Sequence, residues 1–234
     1  MVDTSLYQKR ILPMQIPPLE SGDRLTRHEF ERRYEAMPHL KKAELIEGVV
    51  YVPAALRFRS HGQPHGDLMT WLGVYRAFTP SVLIGDNPTI RLDRDNEPQP
   101  DAVLLIEERA GGQARLSEDD YVEGAPELVA EVAASSASID LGDKKRAYRR
   151  NGVQEYLVWQ VFDGKIDWFR LEDDEYVSLA IDEQGIFRSQ VFPGLWLMPS
   201  ALLNGEMQQV LAILQQGIDS TEHQEFVQRL TQGG

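Results

Sequence analysis

The 234-residue chain contains no cysteine. That excludes disulfide staples, thiol nucleophiles and cysteine-rich zinc sites, and leaves oxygen and imidazole as the groups that could ligate a metal. It also lacks any apolar run near 18 residues, and its N-terminus lacks the basic start, apolar middle and small-residue cleavage site of a signal peptide. Neither a membrane span nor a secretory leader is therefore predicted, and the expectation is a soluble, cytoplasmic protein with no membrane partner. Positive charge is scarce, with 24 Lys and Arg against 37 Asp and Glu and a net charge of −13. General nucleic-acid binders neutralise phosphates with Lys and Arg, so the bulk charge argues against that class. The local balance differs. Residues 140–150 carry Lys144, Lys145, Arg146, Arg149 and Arg150 against Asp140 and Asp143, which makes either a basic ridge on an acidic body or a solvated helix face.

With 42% hydrophobic residues, the chain has material for one sizeable core. Pro13, Pro17 and Pro18 break any period in residues 1–22, which read as an N-terminal arm; 23–218 read as the domain and 219–234 as a C-terminal helical tail. Leu25, Phe30, Tyr34 and Met37 recur at helical spacing behind Thr26, a plausible N-cap. Residues 43–52 run through a turn at Gly48 into a hairpin strand, with Glu44 and Glu47 flanking the bend. Leu68, Trp71, Leu72 and Tyr75 make the stripe of a second helix, which His61 and His65 precede or open; Gly62 and Pro64 between them predict a break in the helix. Strands are predicted at 81–92, interrupted at Asp86-Asn87-Pro88, at 100–106 and at 129–133, with a surface linker over 107–125. A helix from about Asp140 to Arg150 follows, stopped by Asn151-Gly152. Four strand-like runs (155–161, 165–171, 175–181 and 186–191) and helices at 199–203, 206–215 and 222–230 complete the chain. The order predicts an α/β (α+β) fold with a central mixed sheet.

Two residues sit oddly in this pattern. Glu131 lies inside the apolar run Val129–Ala133, and Asp101 opens the apolar run to Ile106. A buried carboxylate must be paired, protonated or bound to a metal. Within the following helix, Lys144 shares its stripe with Leu141 and Tyr148, whereas Lys145 with Arg149 and Arg146 with Arg150 lie on other faces. Lys144 is thus the basic residue predicted to look inward. Two strand acids and an inward lysine form a minimal set for metal-assisted phosphodiester hydrolysis, with the acids on Mg²⁺ and the lysine steadying the attacking water or the developing charge. The same residues could instead make a buried ion-pair cluster, or an Asp140–Lys144 pair along the helix. His61 and His65 suggest a metal pair, an orienting or phosphate contact by one imidazole, or simply capping or surface groups.

The succession Glu44-Leu-Ile-Glu47-Gly48, Gln99-Pro100-Asp101, Pro126-Glu-Leu-Val-Ala-Glu131-Val132, then Asp140 and Lys144 to Tyr148, then Gly152-Val-Gln-Glu155-Tyr156 resembles the bacterial Uma-two-type restriction endonuclease family of the PD-(D/E)XK nuclease superfamily, over residues 22–218. The resemblance implies a restriction-endonuclease-like core and Mg²⁺-dependent (or Mn²⁺-dependent) DNA cleavage. It places metal binding on Asp101 and Glu131, a supporting acid on Glu44 or Glu47, and the lysine role on Lys144. Lys145, Arg149, Arg150 and His61 are the expected DNA contacts. Cutting two antiparallel strands would suit a homodimer. The chain departs from the superfamily pattern at Ala133, where a lysine is usual, and at Ala134-Ser135-Ser136-Ala137, where the family has Ser-Pro-Ser-Thr. An alternative expectation is a catalytically silent member that binds nucleic acid or protein.

Overall fold

The structure, a computed structural model, describes residues 16–53 and 55–232. Most of the predicted N-terminal arm, residues 1–15, lies outside the described residues. Helix α1 (Arg27–Glu35) leads into the hairpin of β1 (Glu44–Ile46) and β2 (Val49–Tyr51), and a π-turn at Phe58–Gly62 opens α2 (Gln63–Phe78). Next come β3 (Val82–Asp86), β4 (Ile90–Arg91), β5 (Ala102–Ile106), β6 (Arg115–Leu116), β7 (Val122–Glu123) and β8 (Leu128–Ala133). The crossover that follows is a helix in three pieces: α3 (Ala137–Ile139), a π-turn (Asp140–Lys144) and α4 (Lys145–Asn151). The chain ends with β9 (Glu155–Gln160), β10 (Lys165–Glu172), β11 (Glu175–Ser178), β12 (Phe187–Arg188), β13 (Trp196–Leu197), α5 (Pro199–Leu203), α6 (Met207–Ile218) and α7 (Thr221–Gln232).

Six strands form one mixed sheet in the order β11-β10-β9-β8-β5-β3. Its one parallel pair is β8 with β9, joined by the helical crossover that parallel neighbours require. Both faces of the centre are covered, which is why every residue of β8 is buried and the strand reads as an apolar run. Side chains alternate between two cores. Leu128, Ala130 and Val132 join Ala102, Leu104, Leu157 and Trp159 under α2, α5, α6 and α7. Val129 and Ala133 join Val103, Leu105, Tyr156 and Tyr148 on the opposite face, under α4. Asp101 and Glu131, by parity, belong to this second face.

Several expectations need correction. Gly62 and Pro64 do not break the helix: the π-turn runs straight into α2, where Pro64 sits in the first turn and its missing N–H costs nothing. The stretch 107–125 is more than surface linker, because β6 and β7 pair with β4 in a three-stranded sheet that buries Val122, Ala114 and Ala125. Residues 186–191 supply only the two-residue β12, paired with β13. Helix α7, within the expected C-terminal helical tail, adds Phe226 and Leu230 to the main core. The Gly48 bend is a tight hairpin turn in which Glu47 (φ 52°) and Gly48 (φ 71°) both take the left-handed conformation that matches strand twist.

Helix α6 lies hard against the turn before β13. A Cβ added at Gly217 would lie 2.2 Å from the Gly194 carbonyl oxygen and 2.8 Å from Trp196 Cγ. Gly217→Ala is expected to cost at least about 1–3 kcal/mol through overpacking. Gly73→Ala in α2, where nothing lies within 4 Å, should gain about 0.5–1 kcal/mol from helix propensity. Urea unfolding of the two variants checks both signs.

Candidate active site

Register brings the two strand acids together. Antiparallel pairing of Ala102 with Ala130 and Val103 with Val129 puts Asp101 opposite Glu131 one residue further on. The Asp101 carboxylate also crosses to the neighbouring strand, its Oδ2 accepting the Val132 N–H at 2.7 Å. Glu44, at the start of β1, reaches the same place and accepts the Gln99 N–H through Oε1 at 2.8 Å.

The crossover helix closes the group. Lys144 Nζ donates to Glu131 Oε1 at 2.9 Å and lies 2.9 Å from Glu44 Oε1 and 3.5 Å from Asp140 Oδ1. The Tyr148 hydroxyl donates to the same Glu131 oxygen at 3.0 Å. All six side chains are buried. Four of them, Glu44, Asp101, Glu131 and Asp140, are acids, and only Lys144 is a base. Lys42 Nζ stands 3.7 Å from Asp101 Oδ1 at the rim. Desolvation by burial pushes the Glu131 carboxyl up to about 8; Lys144 opposes the shift and the neighbouring acids add to it. Burial likewise raises Asp140. Burial would lower Lys144, but Glu131, Glu44 and Asp140 outweigh it and hold the ammonium well above its ordinary pKa.

The group opens onto a cavity of about 470 Å³ whose wall includes Glu44, Asp101, Glu131, Asp140 and Lys144. Neither Asp140 oxygen accepts a hydrogen bond, although the residue is buried. Asp101 Oδ1 and Glu131 Oε2 take no hydrogen bond from the described residues either, so oxygens on adjacent strands are left to an incoming group. Among the described residues no three His, Cys, Asp or Glu side chains converge tightly enough to hold a metal by themselves. Two carboxylates are nevertheless the number Mg²⁺ commonly takes from protein, with water and phosphate oxygens completing its octahedron. The all-oxygen donors and the uncompensated negative charge fit such an ion.

The other expected site residues fall into two groups. His61 reaches the cavity, with Nδ1 donating to the Val132 carbonyl (3.3 Å) and Nε2 3.5 Å from Asp101 Oδ1. His65 stacks on it at 5.6 Å and donates to the Asp101 carbonyl at 3.0 Å. Both imidazoles thus brace the strand ends, which leaves the histidine-pair metal site without support. Glu47 is outside the group: it accepts from Arg150 at 3.0 Å, so Glu44 is the acid at the cavity. Lys145 lies over the Phe169 ring at 3.4 Å, Arg149 pairs with Glu175, and Arg150 also reaches Asp93 at 3.3 Å. None of these three lines the cavity. Sequence reasoning did not single out Asp140 as a cavity acid, Tyr148 as a donor to Glu131, or Lys42. The stripe shared by Lys144 and Tyr148 was the available signal for the second; Lys42 carries none.

A six-stranded mixed sheet flanked by helices, with acids paired on neighbouring strands beneath a lysine-bearing helix, makes this a restriction-endonuclease-like α/β protein. The Uma2 family model, described as a putative restriction endonuclease, matches residues 27–202, and the chain belongs to that family. The crystal structure of a putative nuclease from Anabaena variabilis has a similar fold, with a TM-score of 0.51 and 13% identity over 78% of this chain and 97% of that one. No curated protein matches the chain. No helix among the described residues is long and apolar enough to cross a membrane.

The raised Glu131 gives a test in metal-free protein. Its folded pKa near 8 exceeds the ordinary 4.5, so folding takes up a proton between those values and stability falls as pH rises through that window. In EDTA, wild type should melt lower at about pH 8 than at about pH 5, and Glu131→Gln should show a shallower loss. Since Lys144 keeps Glu44 and Asp140, the variant should match or exceed wild type at the higher pH. A loss of about 3–5 kcal/mol there would make Glu131 a structural partner of Lys144.

Proposed function

We propose that this protein is a divalent-metal-dependent nuclease that hydrolyses DNA phosphodiester bonds, with Mg²⁺ or Mn²⁺ held by Asp101 and Glu131. The observation that carries the reading is the pair of unbonded carboxylate oxygens on adjacent strands, facing a cavity beside a protonated lysine. The bound cation supplies Lewis-acid polarisation of a phosphate and a more acidic water.

The chain's own residues do the rest. Lys144, held protonated by its acids, cannot serve as a general base; it acts as a fixed positive charge. Its ammonium donates to Glu131 and lies 2.9 Å from Glu44 Oε1, and because Asp140 at 3.5 Å accepts no hydrogen bond, a remaining N–H is available to a phosphate oxygen as negative charge develops. Tyr148 and Lys144 together fix Glu131 so that Oε2 faces the cavity. The Val132 N–H fixes Asp101 in the same way. Glu44 orients the ammonium and touches nothing in the substrate. Lys145, Arg149 and Arg150 contribute long-range phosphate attraction at most, because each already has a partner.

A second reading, a silent binding module stabilised by a closed ion cluster, is favoured by the 2.9 Å Lys144–Glu131 pair. Cleavage assays separate the two. DNA should be cut with Mg²⁺ or Mn²⁺ and left intact in EDTA, and Asp101→Asn should abolish cutting. Lys144→Arg retains the charge that holds the acids but displaces the donor; it should stay folded and lose roughly 10²-fold or more in rate. Cleavage that survives EDTA, or full activity in Asp101→Asn, would contradict the metal reading.

A further inference from the structure

Large apolar side chains are exposed at only a few places in the described residues, and two of them, Leu56 and Phe162, line the acidic cavity. Phe162, in the turn after β9, is 70% exposed and lines the cavity; Leu56, also a wall residue, is 62% exposed, and Phe58 two residues on is 73% exposed. They alternate with Arg57 and Arg59 in the segment Leu56-Arg57-Phe58-Arg59, where neither arginine makes an ion pair with a described residue. On the crossover helix, by contrast, Arg146 pairs with Asp143, Arg149 with Glu175 and Arg150 with Glu47 and Asp93.

We infer that the cavity mouth binds single-stranded DNA by stacking an unpaired base on Phe162, with Leu56 beside it and Arg57 on the adjoining phosphate. Duplex recognition draws most of its affinity from many phosphate contacts, and a chain of net charge −13 whose helix cations are neutralised supplies few. Single strands offer a different source of affinity, because a splayed base has a π-face that an aromatic ring can cover while a small number of cations track the backbone. Exposed aromatic and basic residues in alternation beside a set of carboxylates fit that chemistry. An apolar patch kept open to water next to the proposed catalytic group also has no packing role in the fold. The inference rests on the nuclease reading and narrows its substrate; with a single strand as substrate, the argument for a homodimer that cuts two strands falls away.

The test measures binding of a labelled oligonucleotide of about 20 nucleotides, as a single strand and as the matching duplex, by fluorescence anisotropy with Ca²⁺ present. Phe162→Ala, Phe162→Trp and wild type are compared, together with cleavage in Mg²⁺. Phe162 is exposed in a turn, so both variants should fold, which melting curves check. Wild type should bind the single strand more tightly than the duplex. Phe162→Ala should weaken single-strand binding by about 5-fold or more, the loss of one stacked base, with the duplex unchanged, and Phe162→Trp should restore it. Few phosphate contacts also predict a shallow salt dependence, with a slope of about −0.7 for the one phosphate held by Arg57. Equal affinities for single strand and duplex, unmoved by Phe162→Ala, with Mg²⁺-dependent cleavage intact, would overturn this inference and leave the nuclease reading standing. Neither binding nor cleavage of any DNA would overturn both. A Phe162→Ala protein that changes from dimer to monomer in sedimentation, with single-strand affinity unchanged, would assign the patch to a second copy of the chain and likewise overturn the inference.

Discussion

One ammonium buried among carboxylates is the interaction on which the site depends. Lys144 contacts Glu131, Glu44 and Asp140 from a position almost out of reach of water. Its partners come from the hairpin strand β1, the central strand β8 and its own helical crossover, so one side chain ties three separate segments together. Removing a charge from such a group leaves its partners uncompensated in a medium that solvates them poorly, which is the costly way to break a buried pair. The charge is nevertheless unbalanced, because the acids outnumber the bases. Burial, reinforced by that excess, raises Glu131 and Asp140, the Asp140 oxygens have no hydrogen-bond donors, and the uncompensated charge fits the divalent cation proposed for the cavity.

The crossover helix supplies two of the charged groups. Asp140, Lys144, Ala147 and Tyr148 follow the i, i+4, i+7, i+8 spacing that keeps residues on one helix face. The π-turn over Asp140–Lys144 lies within that stretch. Asp140 and Lys144 both turn toward the sheet, and Ala147 and Tyr148 continue the buried face in α4. Such wide turns are uncommon and tend to mark places where side chains must be aimed rather than merely packed. The second π-turn, at Phe58–Gly62, does the same for His61 at the opposite wall. Both interruptions of regular helix in the described chain therefore border the same cavity.

Much of this was legible in the residues. An acid inside the run Val129–Ala133 signalled its own burial, and the Leu141, Lys144 and Tyr148 stripe correctly placed the inward lysine. Strand parity then followed, because period-two alternation fixes which residues share a face. The two-residue strands β6, β7, β12 and β13 were illegible, since their pairing is decided by long-range contacts and not by local pattern. Glu44 and Glu47 could not be told apart until the hairpin turn sent one toward Lys144 and the other toward Arg150. The basic ridge on α4 was visible as composition, but the pairing of Arg149 with Glu175 and of Arg150 with Glu47 and Asp93, and the seat of Lys145 over Phe169, depend on segments far away in the chain. Pro64 misled because its position in the first helical turn, where proline is harmless, was set by the π-turn before it.

Asp101 and Glu131 are proposed to form a cation site in the cavity, and direct titration of Mn²⁺ tests this without reference to catalysis. Calorimetry and paramagnetic broadening should show one saturable site in the wild-type chain. The site should be lost in Asp101→Asn and kept in Glu97→Gln, which alters another buried acid with a pKa near 8 that does not line the cavity. Failure of the wild type to bind Mn²⁺, or equal binding by the Asp101→Asn chain, would show that the paired carboxylates serve only as partners of Lys144.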